Sequence, residues 1–223
     1  MKPTLRAIML LQFPDNHLRY MEKNGTLKKW LPEISCLVGV TQPESHHPEG
    51  DVFEHTMQVL AEMKKLTSQP ERLFAALVHD VGKGVTPIEL LPKHHNHEKT
   101  GVPIVEELAN RMGVPKIWKE AGLYGTEHHG TFHRLLEMRP PRVVDFLNGA
   151  SKSALGVEGL AQLGLADQRG RNNPDGLHEC FDAWFEMWEF MQSNPALSHE
   201  RPEDVRMRHA KGIKDIQQRH KNG

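Results

Sequence analysis

Apolar residues along this chain recur at spacings of three and four, while sustained alternation of apolar and polar residues is nearly absent. Spacings of three and four place side chains on one face of a helix, whereas alternation is typical of strands. The pattern therefore predicts an all-α fold. The clearest helical rows are Val52, Thr56, Val59, Met63 and Leu66, and later Leu177, Phe181, Trp184, Trp188 and Met191.

Helix-breaking residues indicate how the chain is organised. Within residues 1–45, "NGT" and "LPE" interrupt the apolar rows, which predicts short helices in an N-terminal helical extension. A length of 223 residues suffices for one ordinary domain with a hydrophobic core. We therefore expect one main helical-bundle domain at residues 46–223, after the extension at residues 1–45.

Composition narrows the classes of partner. The 28 basic and 29 acidic residues give a net charge of -1, so any basic surface for a partner must be local. Cys36 and Cys180 are far apart without CxxC spacing, which argues against a disulfide framework and a thiolate zinc site. The longest apolar run, "LFAALV", is far too short to span a membrane. We expect a soluble cytoplasmic protein with no membrane partner.

Histidine is the anomaly of the composition. Of the 15 histidines, ten lie between His46 and His133. Counting adjacent pairs decides nothing, since this composition yields roughly 0.6 His-Asp pairs by chance. Placement is more informative, because one set of residues falls on or beside the inward faces of separate predicted helices. This set comprises His55, Asp80, His97, His128 or His129, and Asp167.

Inward carboxylates indicate a metal site. Burying an unpaired carboxylate costs several kcal/mol, so Asp80 and Asp167 require cations or hydrogen-bond donors nearby. Imidazole nitrogens mixed with carboxylate oxygens suit Mn, Fe, Co, Ni or Zn better than Ca. We expect divalent transition-metal ions at this set of residues, with Mg also compatible. Any single histidine can instead be a hydrogen-bonded residue of the core or the surface. Six histidines are interpreted in this way: His17, His133, His178, His199, His209 and His220.

Three short motifs carry a resemblance to a known family. "EHT" at 54–56, "HDVGK" at 79–83 and "LADQRGR" at 165–171 resemble the H…HD…D series of HD-superfamily phosphohydrolases. From about Leu27 to Arg171 the chain is similar to the HD region of bacterial CCA-adding tRNA nucleotidyltransferases. The resemblance implies an HD-domain helical bundle. Those enzymes also have a nucleotidyltransferase head with a Gly-Ser and DxD series, for which we find no counterpart here, so we do not expect CCA addition.

The same resemblance implies metal ligands and an activity. The ligands of a first metal correspond to His55, His79, Asp80 and Asp167. A second metal would take His97 from "HEKTG" and a histidine of "EHHG", His128 or His129, with Asp80 bridging both ions. The implied activity is hydrolysis of phosphomonoesters, 2'-nucleotides or 2',3'-cyclic nucleotides by a metal-activated water.

Residues around the ligands are candidates for substrate contact. Asp80 and Lys83 are the predicted catalytic residues, and Lys83 would also bind a phosphate oxygen. The alternative is that Lys83 is a helix-end lysine whose positive charge interacts favourably with the helix dipole. The predicted substrate-binding residues are Lys83, Lys93, His94, His95, Arg169 and Arg171. A solvated loop explains Lys93, His94 and His95 nearly as well, and surface ion pairs explain the two arginines. The residues predicted to contact the metal ligands without binding the metal, or to line the rim of the pocket, are His47, Glu49 and Asp51.

Three rival functions stay open. A mononuclear HD 5'-nucleotidase would use only the first ligand set, and a di-iron HD oxygenase would use both sets for oxygen chemistry. A non-catalytic tRNA-binding module is the third, since residues 201–223 carry seven basic and three acidic residues. The expected partner is a small phosphorylated substrate, a nucleotide or alternatively an RNA end. The oligomeric state is left open.

Overall fold

Helices account for nearly all the regular structure in the computed structural model, which describes residues 4–172 and 179–222. The α-helices of these residues are α1 Leu5–Met9, α2 Pro14–Lys23, α3 Thr26–Trp30, α4 Pro32–Ser35, α5 Val52–Leu66, α6 Pro70–Val78, α7 His97–Met112, α8 Lys116–Phe132, α9 Pro140–Lys152, α10 Gly156–Arg169, α11 Glu179–Ser193 and α12 Pro202–Asn222. Two short 3₁₀ helices, Val81–Val85 and Ile88–Leu90, lie between α6 and α7. Extended pairing in the described ranges is limited to one bridge between Thr41 and Asp51. The predicted all-α class is confirmed.

Asp51 explains where α5 begins. One oxygen of its carboxylate accepts a hydrogen bond from the Glu54 backbone N–H at 2.8 Å, which is the N-cap interaction that aspartate favours. The other oxygen accepts from the Gly39 N–H at 2.6 Å. Asp51 therefore ties the preceding loop to α5 and sets the helix phase that directs His55 inward.

Helix α6 runs through the middle of the bundle, and all its residues from Arg72 to Val78 are buried. It packs against α5 on one side and α8 on another, while α7 packs against α8. The Thr126 hydroxyl of α8 donates a hydrogen bond to the Val78 carbonyl at 3.1 Å, satisfying a backbone acceptor at the end of α6. The end of α6 is thus fixed deep inside the protein.

Two glycines allow the chain after α6 to approach α7 closely. A Cβ on Gly82 would lie 2.0 Å from the carbonyl oxygen of His97, and one on Gly101 would lie 2.7 Å from the Thr126 methyl carbon. Real Cβ atoms do not approach other atoms so closely, so both positions require glycine. This close packing brings Asp80, the residue that follows His79, next to the start of α7.

The predicted N-terminal extension corresponds to α1–α4. Its apolar side chains, including those of Leu5, Leu18 and Leu31, are buried in the same hydrophobic cluster as the later helices. The division at residue 45 stays a prediction. In α11, Trp184 is fully buried and donates its indole N–H to the Val157 carbonyl at 2.9 Å. Leu177 and His178 lie outside the described residues, and none of the described helices has the length and apolar character needed to cross a membrane.

Candidate metal centre

Asp80 lies at the centre of the site, just after α6, and is 1% exposed. Its Oδ2 lies 2.7 Å from Lys83 Nζ and 3.3 Å from His79 Nε2. Its Oδ1 lies 3.3 Å from His97 Nε2 and 3.4 Å from His129 Nε2. Burial alone would raise the pKa of Asp80, but the charges of Lys83 and His79 hold that pKa well below its usual value. Asp80 is therefore ionised and presents each oxygen to a different set of groups.

The first ligand group consists of His55, His79, Asp80 and Asp167, which lie on α5, at the end of α6 and on α10. All four are at most 2% exposed. His55 Nε2 lies 2.9 Å from Asp167 Oδ1 and 3.7 Å from Asp80 Oδ2. In the described part of the chain, His55 Nε2, His79 Nε2 and Asp80 Oδ1 have no aligned hydrogen bond. Leaving such buried atoms unpaired costs about 1–3 kcal/mol each, so the donor set fits a divalent cation.

The second ligand group consists of Asp80, His97 and His129, whose nearest ligand atoms lie within 4.8 Å of one another. The two imidazole nitrogens that face Asp80, His97 Nε2 and His129 Nε2, are 3.2 Å apart. His97 begins α7, and His129 lies near the end of α8. The packing of α7 on α8 therefore brings the two rings together.

The backbone fixes which ring nitrogens carry protons. The Nδ1 atoms of His79, His97 and His129 lie 2.8, 2.8 and 3.1 Å from carbonyl oxygens three residues earlier in the chain. A carbonyl can only accept, so each Nδ1 carries a proton, and each ring in its neutral form presents a lone pair at Nε2. Two lone pairs 3.2 Å apart repel each other unless a cation or proton lies between them. The second ligand group therefore also fits a metal ion.

His128 lies elsewhere, although it precedes His129 directly. Its ring packs on Tyr124 with centroids 4.3 Å apart and on Phe146 at 5.9 Å, and its Nε2 lies 3.8 Å from a Glu127 oxygen. The structure thus places His129 beside Asp80 and turns His128 away from it. The assignment of either residue as a ligand stays a prediction.

Asp167 is held by two groups besides His55. Its Oδ2 lies 2.5 Å from His133 Nε2 and 3.0 Å from a terminal nitrogen of Arg171. Burial would raise the pKa of Asp167, but Arg171 and His133 keep that pKa well below its usual value. His133, interpreted from the sequence as an ordinary polar residue, lies at the site. The signal is its spacing of four from His129: His133 is the C-cap of α8 in helical conformation, so the two residues lie on one side of the end of this helix.

Glu49 supports the first ligand group from behind. Its Oε1 lies 2.8 Å from His47 Nδ1 and 2.8 Å from His55 Nδ1, and its side chain is fully buried. Burial would raise the pKa of Glu49, but hydrogen bonds from His47 and His55 lower it to about 2. The ionised Glu49 lies against Nδ1 of His55, while Nε2 of the same ring faces Asp80 and Asp167. His47, Glu49 and His55 also have metal-ligand spacing among themselves.

Gln42 was not found by sequence reasoning. Its Oε1 accepts a hydrogen bond from Lys83 Nζ at 2.7 Å, and the residue is 6% exposed. An ammonium group can only donate, so the amide oxygen must face Lys83 and Nε2 must point away. Within the described ranges that buried Nε2 has no hydrogen-bond partner. Gln42 lies in an irregular loop, where neither periodicity nor spacing distinguishes it.

The remaining predicted substrate-binding residues are placed differently. His94 bridges two loops, since its Nε2 lies 2.9 Å from the Thr41 carbonyl and its Nδ1 lies 2.8 Å from the Thr86 hydroxyl. Lys93 and His95 are exposed, and their side chains make no hydrogen bond or ion pair with the described residues. Arg169 is partly buried at the end of α10. Of the predicted set, Lys83 and Arg171 contact the aspartates directly.

Comparison with known proteins agrees with this geometry. The family model of the HD domain matches residues 52–152. Multifunctional CCA protein from Teredinibacter turnerae is 38% identical over 149 residues, covering 67% of this chain and 34% of that protein. The proteins of the same name from Mannheimia succiniciproducens and Thioalkalivibrio sulfidiphilus are 36% and 38% identical, each covering 71% of this chain and 39% of the relative.

The chain thus spans only 34–39% of the length of these relatives. The HD match includes most of the clustered ligands, and Asp167 lies just beyond it. HD domains form a superfamily of metal-dependent phosphohydrolases and usually bind divalent metal ions, which agrees with the clustered histidines and aspartates. The chain therefore contains an HD domain related to the HD region of the multifunctional CCA proteins.

Proposed function

We propose that this protein is a metal-dependent phosphohydrolase that cleaves phosphomonoesters, 2'-nucleotides or 2',3'-cyclic nucleotides. The observation that carries the proposal is the position of Asp80 between two groups of imidazoles. Its Oδ2 faces His79, and its Oδ1 faces His97 and His129 at 3.3 and 3.4 Å. A carboxylate placed in this way can be shared by two cations, which supports two ions per chain.

The chain's own residues supply the rest of the chemistry. When bound, divalent ions at such a site act as Lewis acids that favour ionisation of water and offset the negative charge of a phosphoryl group. The carboxylates of Asp80 and Asp167 supply negative charge that would hold the cations, and both are buried and ionised. Lys83 and Arg171 lie beside these aspartates, so their N–H donors can bind phosphoryl oxygens.

The groups around the aspartates favour a small phosphorylated substrate. The Lys83 ammonium donates to both Asp80 and Gln42, so the lysine is held in place. The amide Nε2 of Gln42 and the Nε of Arg171 are buried donors without a partner in the described part of the chain. Donors of this kind suit oxyanions. We therefore propose a nucleotide as the substrate, with an RNA end as the alternative.

The test is an Asp80→Asn variant, purified without chelators beside the wild-type protein. We expect about two metal ions per wild-type chain and fewer than one in the variant, because both ligand groups lose their shared carboxylate. Hydrolysis of 2',3'-cAMP, 2'-AMP, 5'-AMP and p-nitrophenyl phosphate should fall at least about a hundredfold, while the helical circular dichroism spectrum persists. Asp145→Asn, which changes an exposed aspartate paired with Arg206, is the matched control.

Three results would contradict the proposal. An Asp80→Asn protein that kept its metal and its activity would exclude the assigned site. One ion per chain, with 5'-AMP as the preferred substrate and no loss in His97→Ala, would favour the mononuclear 5'-nucleotidase. Iron in the purified protein with oxygen-dependent turnover would favour the di-iron oxygenase.

A further inference from the structure

A second candidate binding site lies at the turn between α8 and α9, apart from the metal ligands. It is a cavity of about 420 Å³ lined by Thr131, Arg134, Glu137, Met138, Arg139 and Arg142. Three guanidinium groups and one carboxylate give its lining a net positive charge. This positive charge is local, since the whole chain has a net charge of -1. An anionic ligand is therefore the class to consider.

The arginines of this cavity differ from most others in the protein. Eight arginines form ion pairs with carboxylates: Arg19, Arg72, Arg111, Arg171, Arg201, Arg206, Arg208 and Arg219. Arg134, Arg139 and Arg142 form no such pair with any residue that the structure describes; Arg134 Nε reaches only the Gly130 carbonyl, at 3.4 Å. Three guanidinium forks around one cavity are thus available to an external oxyanion.

The wall of the cavity is fixed from the protein side. Gln217 of α12 donates two hydrogen bonds from its amide nitrogen, to the carbonyls of Leu135 and Met138, both at 2.9 Å. Leu135 is fully buried beneath the turn. A turn held in this way fixes the backbone of the cavity wall, from which the exposed side chains of Arg134, Arg139 and Arg142 extend.

The start of α9 adds to the positive potential. Arg139 is its N-cap residue and Arg142 lies in its first turn, which contains no acidic residue. The positive end of a helix dipole therefore faces the same region. Pro140 and Pro141 have no N–H groups, so recognition falls mainly to the guanidinium side chains.

We propose that this cavity binds a phosphate group of a nucleotide or an RNA chain. Arginine recognises phosphate through paired N–H donors, and the Thr131 hydroxyl can add one more donor. Thr131, which lines the cavity, lies in the last turn of α8, two residues after His129. The phosphate site therefore adjoins the end of the helix that carries a candidate metal ligand.

The experiment measures binding of a fluorescent eight-nucleotide RNA to the full chain by anisotropy, over a series of salt concentrations. Arg139→Ala/Arg142→Ala should weaken binding about tenfold per arginine at low salt. It should also reduce the slope of log Kd against log salt by about 1.4, since two phosphate contacts are lost. Arg6→Ala, which removes an exposed arginine that makes no ion pair with described residues, should leave both quantities unchanged.

Further measurements separate charge from geometry and RNA from free phosphate. Arg139→Lys/Arg142→Lys should restore only part of the affinity, because lysine lacks the paired donors of arginine. Competition by inorganic phosphate or 5'-AMP as strong as that by unlabelled RNA would support the site with a mononucleotide as its ligand. Competition by unlabelled RNA alone would support the site with an RNA chain as its ligand. Equal unfolding temperatures of the variants exclude a folding defect.

The outcome does not depend on hydrolysis at the metal centre. Loss of RNA binding in Arg139→Ala/Arg142→Ala with unchanged hydrolysis of p-nitrophenyl phosphate would leave the proposed reaction standing, so the phosphate site and that reaction can fail separately. The proposal is overturned if the double alanine variant binds RNA, phosphate and 5'-AMP as wild type does. An equal loss of affinity in Arg6→Ala would also overturn it.

Discussion

The first and second ligand groups share Asp80 but differ in what holds their other members. In the first group, charged side chains support the ligands: Glu49 lies against His55, while His133 and Arg171 lie against Asp167. These contacts come from a loop, α8 and the chain after α10. The first group is thus a network of side chains whose charges depend on one another.

The second group is supported by the main chain. His97 and His129 each donate from Nδ1 to a backbone carbonyl three residues earlier, and His97 retains a 16% exposed side chain. The contrast teaches that the first group should be sensitive to substitutions outside its ligands. The second should be sensitive mainly to its own histidines and to the packing of α7 on α8.

Asp167→Asn should have the largest effect, because it breaks the side-chain network of the first group. It removes a buried negative charge and leaves His55, His133 and Arg171 without their shared partner. Breaking a buried ion pair costs about 3 kcal/mol or more, so the unfolding temperature should fall by about 6 °C or more. Thermal unfolding measures the loss of stability, and metal analysis measures the loss of bound metal.

The control for this variant is Asp145→Asn, which breaks an exposed pair with Arg206 and should cost less than about 1 kcal/mol. If Asp167→Asn were as stable and as metal-rich as that control, the first group would not be a charged network. The comparison drawn between the two groups would then be wrong.

His129→Gln and His128→Gln form a matched pair within the second group. The residues are adjacent on α8, but only His129 faces Asp80, at 3.4 Å. His129→Gln should lose one metal ion per chain and at least about a hundredfold in activity. His128→Gln should keep both ions, since its ring packs on Tyr124. Metal loss in the His128 variant instead would mean that α8 is rotated in the metal-bound protein.

This pair also shows how far the sequence could predict the structure. The all-α class and the resemblance to the HD region of CCA-adding proteins are confirmed. Asp80 is buried, in agreement with its predicted place at an inward helix face. Periodicity placed His128 and His129 astride one face of α8 and could not choose between them. That choice depends on how α8 packs against α6, where a Cβ on Gly122 would lie 2.6 Å from the Phe74 ring.

Other residues of the site could not be predicted from the sequence, because their positions depend on long-range contacts. Gln42 reaches Lys83 across 41 positions of sequence, and His133 reaches Asp167 across 34. Gln42 belongs to no motif, and the spacing of His133 from His129 does not identify Asp167 as its partner. Local patterns predict which face of a helix is buried, but the partner across the core is set by tertiary packing.

Glu49→Gln tests the side-chain support of the first group with a smaller change. The amide keeps the size of the carboxylate but removes the negative charge that lies 2.8 Å from His55 Nδ1. Loss of such a supporting group lowers metal affinity about 10–100-fold, and only one of two ions should be affected. Metal titration followed by calorimetry distinguishes the two sites. Equal weakening of both ions would show that Glu49 acts on the fold as a whole.

Gln42→Glu and Gln42→Leu should have the smallest effects, because Gln42 contacts Lys83 and no metal ligand. Glutamate keeps an acceptor for Lys83 but replaces the unpartnered Nε2 donor with an acceptor, whereas leucine removes both. If the amide binds a phosphoryl oxygen, losing one neutral hydrogen bond should raise KM for the best substrate about three- to tenfold. Repulsion from the new carboxylate should make Gln42→Glu the weaker binder. Both variants should retain two ions per chain. Metal loss in either would mean that the loop carrying Gln42 supports the first ligand group, as Glu49 does, rather than the substrate.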